Sequence, residues 1–83
     1  METALFHNRE RDLYIEINTE RIHTESLNRE LFDWAFDKFA SEIDMYNKAE
    51  VEFVTDSKLY IWGDDNFIVF KKIESPNLSE KFL

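Results

Sequence analysis

Between Ser26 and Lys48 the apolar residues recur at helical spacing along two separate lines, with carboxylates between them. At about 100° per residue, Phe32, Phe36, Phe39, Ile43 and Tyr46 fall within about 40° of one direction, the spacing of a core-facing stripe. Leu27, Leu31, Trp34 and Met45 form a second row, interrupted by Lys38, while Glu30, Asp33, Asp37 and Asp44 lie between the two. The spacing predicts a helix over 26–48 that packs through its phenylalanine stripe and leaves the tryptophan row for a partner. Thr24 or Ser26 supplies the N-cap oxygen, and Glu25 sits near the positive end of the helix dipole.

The rest of the chain alternates with period two. Leu13, Ile15 and Ile17 interleave with Tyr14, Glu16 and Asn18, which predicts a half-buried strand near Asp12 to Asn18; Thr3 to Phe6 adds at most a short flap. After the helix come three β-rich runs, Val51 to Val54, Lys58 to Trp62 and Phe67 to Ile73. Thr55-Asp56-Ser57 and Gly63-Asp64-Asp65-Asn66 separate them with turn chemistry, so two hairpins follow. Ser75-Pro76 ends the last run, because proline cannot donate to a ladder.

The expected architecture is a two-layer α+β domain, one amphipathic helix on a small antiparallel sheet in the order β-α-β-β-β. Residues 1–76 form the domain and 77–83 a short tail carrying Leu78, Phe82 and Leu83. The run Lys58 to Trp62 is apolar on both sides, Leu59 and Ile61 against Tyr60 and Trp62, and one helix covers one side only. The second side is covered by the N-terminal segment, by the C-terminal tail or by another protein, and Tyr60 and Trp62 beside the Gly63-Asp64-Asp65-Asn66 turn form either a binding tip or a second core face.

Composition narrows the function. A chain of 83 residues with 43% hydrophobic and 16% aromatic residues folds around one modest core and has no room for a second domain. A single glycine excludes phosphate-cradling glycine-rich loops, so no nucleotide cofactor is expected. No cysteine means no disulfide framework and no thiolate metal site, which suits a reducing cytoplasm. No basic-then-apolar leader and no run of about 18 apolar residues is present, so a membrane role is not expected.

Net charge is −8, which opposes direct binding to nucleic acid and anionic lipid. Residues 71–83 carry three lysines against two glutamates, so the acidity belongs to the body of the domain. Glu30, Asp33, Asp37 and Asp44 are spaced at about 6 Å per step along a helix, similar to successive phosphates on a strand. Asp56, Asp64 and Asp65 at the turns extend that row, and Leu27, Leu31, Trp34 and Met45 beside it are the apolar anchors. A protein that grips nucleic acid with lysine and arginine accepts such a surface in place of a backbone.

Other chemistry is weakly represented. His7 and His23 lack the spacing and companions of a zinc site, and Asp64-Asp65 lacks the alternating acids of a calcium loop. Exposed helix carboxylates have no cleft to desolvate them, so no catalytic residues are expected among Asp33, Asp37 and Asp44. Asn77-Leu78-Ser79 matches a glycosylation acceptor, which has meaning only on export.

The expected function is a small acidic protein-binding inhibitor of a nucleic-acid-handling protein, without cofactor or metal. By analogy of size and charge, blockers of defence nucleases of the anti-CRISPR or anti-restriction phage type use this solution, as do immunity proteins of nuclease toxins. The alternative is a homodimerising adaptor in which the Leu27, Leu31, Trp34 and Met45 row meets its twofold copy.

Overall fold

The computed structural model describes residues 2–73 and 80–82. Its strands are β1 (Thr3–Asn8), β2 (Leu13–Asn18), β3 (Glu50–Thr55), β4 (Lys58–Trp62), β5 (Phe67–Ile73) and β6 (Glu80–Phe82), with one helix, α1 (Glu25–Phe39). The sheet order is β3-β4-β5-β1-β2-β6. Five strands pair antiparallel and β6 lies parallel to β2. The α+β, helix-on-sheet expectation holds, with a richer sheet than the alternation predicted.

The largest addition is β1. Instead of a flap it fills the middle of the sheet, pairing Phe6 with Ile15 of β2 and Leu5 with Ile73 of β5. Ala4, Leu5 and Phe6 are consecutive and all buried, so this strand lacks the alternation that advertises a strand with one wet face. Asn8 ends it as a buried polar side chain that is fully engaged. Its Nδ2 donates to the Val69 carbonyl at 3.0 Å, and its Oδ1 accepts the Arg11 N–H at 2.8 Å. Of the segment expected as a tail, residues 80–82 form β6, and Leu78, Leu83 and the Ser75-Pro76 stop lie outside the described residues.

The helix begins where its cap residue places it. Thr24, extended at φ −86°, accepts the Leu27 N–H on its side-chain oxygen, a contact worth about 1 kcal/mol. It ends earlier than the apolar spacing predicts, at Phe39 instead of Lys48. Ile43 N–H still donates to the Phe39 carbonyl, but Asp44 enters the left-handed region at φ 53° and Met45 N–H closes back on the Ala40 carbonyl at 3.0 Å. That is the six-residue closure of a Schellman motif, with aspartate in the place glycine usually takes.

The two stripes are only partly exchanged: Phe39 and Ile43 of the first are buried as expected, while Leu27, Leu31 and Met45 of the second join them in the core. Leu27, Leu31 and Ala35 are fully buried one turn apart, followed by Phe39, and they face Phe6, Ile15, Leu59, Ile61 and Phe70 of the sheet. Ala35 is small enough to let the helix axis approach the strands. Phe36 and Tyr46, expected in the core, are 42% and 60% exposed. Ile43 and Met45 both enter the core from the reversing turn, two residues apart, as no continuous helix allows.

Gly63 holds that turn down. A Cβ at Gly63 would stand 1.6 Å from the Ile43 carbonyl oxygen, so the two backbones touch directly. Next to it, Asp64 N–H donates to the Asp44 carbonyl at 2.8 Å.

Candidate functional site

Three sequence-selected anchors are corrected by their burial. Leu27 and Leu31 have no exposure and Met45 has 1%, because the helix packs through their side. They build the core and have no surface to offer, so of the row expected to meet a twofold copy only Trp34 keeps any exposure. Trp34 is half-buried; its ring meets Phe39 edge-on at 5.7 Å and tilts on Phe70 at 6.1 Å, with the Lys38 ammonium 5.6 Å above it. It seals the margin of the core.

The exposed aromatics lie on the other side of the helix. Phe32 and Phe36 stack at 6.3 Å and Phe36 meets Tyr46 edge-on at 6.0 Å, making a short aromatic ladder along the surface. Asp33 and Asp37 are exposed beside it, one residue further round the helix from Phe32 and Phe36. Among the described residues no hydrogen bond or ion pair engages either carboxylate.

The remaining acids are more committed. Glu30 takes a two-pronged contact from the Arg21 guanidinium, whose Nη1 donates at 3.2 Å, so its charge is locally answered. Asp56 accepts from or pairs with His23 Nε2 at 2.9 Å, which holds the β3–β4 turn near the helix N-terminus. Asp44 belongs to the reversing turn beyond the helix and does not continue the helical row. Asp65 is exposed at the β4–β5 turn. The turn acids thus flank the helix carboxylates at its two ends instead of lengthening one line of equal steps.

Asp64 is a structural clamp. Its Oδ1 accepts the Lys48 N–H and, at 3.1 Å, the Asn47 N–H, while Oδ2 accepts from the Asn47 side chain at 3.2 Å. The Lys48 N–H contributes most to holding this carboxyl below its ordinary pKa; the Asn47 donors and the Lys48 charge add to it, against partial desolvation. A lowered folded-state pKa means stabilisation that is complete above the unfolded value and lost as pH falls through the folded one. Asp64→Asn keeps an acceptor oxygen and removes the charge. Its stability deficit is therefore expected at neutral pH and should shrink at a pH below the carboxylate range, read from urea midpoints; an equal deficit at both would refute the clamp's charge.

Two His–Asp pairs escaped the sequence reading, which weighed the histidines only as metal ligands. His7 Nε2 lies 3.2 Å from Asp12 and its ring stacks on Tyr14 at 4.2 Å. His23 adopts φ 73° with its ring edge-on to Phe53 at 5.9 Å. The aspartates of both pairs are more than four-fifths exposed, and neither histidine is bonded to a hydroxyl nucleophile among the described residues. They fix turns. No group of three or more candidate metal ligands occurs among the described residues.

On the sheet face away from the helix, Tyr60 and Trp62 stack at 5.1 Å, with Phe67 at 5.4 and 5.1 Å from them. Trp62 Nε1 donates to Glu52 Oε1 at 3.0 Å. Phe67 is 44% exposed, so this cluster is an aromatic surface and not a second sealed core. No helix among the described residues is long and apolar enough to cross a membrane. No protein-family model matches the chain, and no curated protein or solved structure is significantly similar to it.

Proposed function

We propose that this chain is a small acidic protein-binding inhibitor that occupies the cationic groove of a nucleic-acid-handling protein. Asp33 and Asp37 stand where successive phosphates would, and Phe36 with Tyr46 supplies the apolar anchorage first assigned to the Leu27 and Trp34 row. The observation that carries the reading is this adjacency: two exposed carboxylates with no partner among the described residues, beside the exposed Phe36–Tyr46 pair. Rigid aromatics bury area with few rotors, and flanking carboxylates steer and orient a basic partner.

Net charge of −8 adds long-range attraction to such a target. Lack of cysteine suits a reducing cytoplasm as the place of action. Blockade of a defence nuclease, as an anti-CRISPR or anti-restriction phage protein performs it, and immunity against a nuclease toxin are two forms of the same chemistry.

The test is capture from host lysate by tagged protein at low and high salt, with Asp33→Lys/Asp37→Lys as the comparison. Retention of a DNA- or RNA-handling protein should fall about tenfold or more in the double variant and with rising salt. Circular dichroism should leave the variant's fold unchanged, since both positions are exposed. Equal capture by the variant would sink the electrostatic reading.

A further inference from the structure

Beyond the helix carboxylates, the free edge of the sheet offers a second surface of a different kind. Among the described residues β3 is the terminal strand on one side and pairs only with β4, so alternate backbone N–H and C=O groups along Glu50–Thr55 face outward. Beside this edge runs a groove of about 500 Å³ between β3 and the first turns of α1. Phe32, Ala49 and Val51 give it an apolar floor, while Glu25 and Arg29 on the helix and Glu50 on the strand put charges at its rim. Asn28 also lines it, and its side-chain oxygen is buried with no hydrogen-bond donor among the described residues. Such an atom is costly to leave unmet.

We propose that β3 is a docking edge for an extended segment of a partner protein whose residues alternate between basic and aliphatic. Strand geometry sets that alternation. A strand added to β3 turns successive side chains to opposite faces of the sheet. On the helix side they enter the groove against Phe32 and Val51, which takes aliphatic residues. On the other side they lie beside Glu50 and Glu52, with Tyr60 and Trp62 next to them across the β3–β4 register, which takes lysine or arginine.

The same facts disfavour the other occupants. A second copy paired edge to edge would bring the Glu50 and Glu52 carboxylates of two chains of net charge −8 together. The chain's own residues 80–82 are paired with β2 at the opposite edge.

The experiment uses a blocked seven-residue peptide of alternating lysine and valine, titrated into the isotopically labelled full chain and followed by amide chemical shifts. Shifts should concentrate on Glu50–Thr55, Asn28 and Phe32 and saturate with a Kd of about 1 mM or tighter. Two analogues N-methylated at the lysines or at the valines should differ by about tenfold or more in affinity, because only one set of peptide N–H groups faces β3.

Equal binding by both analogues would overturn the proposal, as would shifts confined to Asp33 and Asp37, the pattern of a polycation on the helix. β3 amides already protected in the free protein, with a mass that doubles on concentration, would assign the edge to a second copy and overturn it as well. Because Asp33→Lys/Asp37→Lys leaves β3 untouched, peptide binding by that variant separates this edge from the helix face.

Discussion

Gly63→Ala is expected to cost about 3 kcal/mol or more, enough to leave a domain of this size largely unfolded under mild denaturant. The reason is contact, not backbone freedom: no glycine of the chain has positive φ, yet an ideal Cβ at Gly63 falls 1.6 Å from the Ile43 carbonyl oxygen and 2.6 Å from its carbonyl carbon. Those are main-chain atoms, so no side-chain rotation relieves the overlap. To admit the methyl, the reversing turn must lift from the β4–β5 hairpin. That would pull Ile43 and Met45 from the core and break the Asp64 bonds to Asp44, Asn47 and Lys48. Urea unfolding followed by tryptophan fluorescence is the measurement; a midpoint close to that of the parent would mean the turn is not seated as described.

Leu31→Ala and Phe36→Ala form the second pair, and their order matters more than either value. Leu31 is fully buried under the helix, and truncation should cost about 2–5 kcal/mol by lost transfer energy and a cavity the sheet cannot collapse into. Phe36 is 42% exposed and among the described residues has Phe32 and Tyr46 as its ring neighbours, so its truncation should cost about 1 kcal/mol or less. The reverse ranking would restore the phenylalanine stripe to the core. Under the proposed function Phe36→Ala should weaken partner capture while leaving the fold intact.

Several elements were legible in the sequence because local and global preferences agree. β4 and β5 occupy the predicted Lys58–Trp62 and Phe67–Ile73, since alternation and turn residues mark both ends. Thr24 was one of two cap residues, with Ser26, that the sequence offered, and it is the one used. What failed has identifiable causes. β1 is buried on two sides and shows no alternation. The helix end turns on Asp44 accepting a left-handed backbone, a role that glycine signals and aspartate conceals. The partial exchange of stripes follows from Ala35: scored by hydrophobicity, Leu27, Leu31 and Ala35 rank below a row of phenylalanines, although the small side chain is what permits close packing.

The site was read in part. Asp33 and Asp37 are exposed as their helical position implied, whereas the answering of Glu30 by Arg21 and of Asp56 by His23 depends on the irregular segment before α1. No periodicity reports where such a segment places its side chains. Phe36 and Tyr46 were recognised as apolar and assigned to the wrong side, so the aromatic ladder was present in the sequence but hidden by the extended helix.

The central place of β1 has a consequence for how the chain comes to be folded. Its neighbours are β2, next in sequence, and β5, which is made only after the helix and two further strands. Until β5 leaves the ribosome, β1 has one bare edge and Phe6 lacks half of its enclosure. Closing the sheet thus waits on its most distant pairing, a high contact order that slows collapse to the native state. For a nascent chain this leaves one edge of the β1–β2 hairpin bare until β5 is available to pair with it.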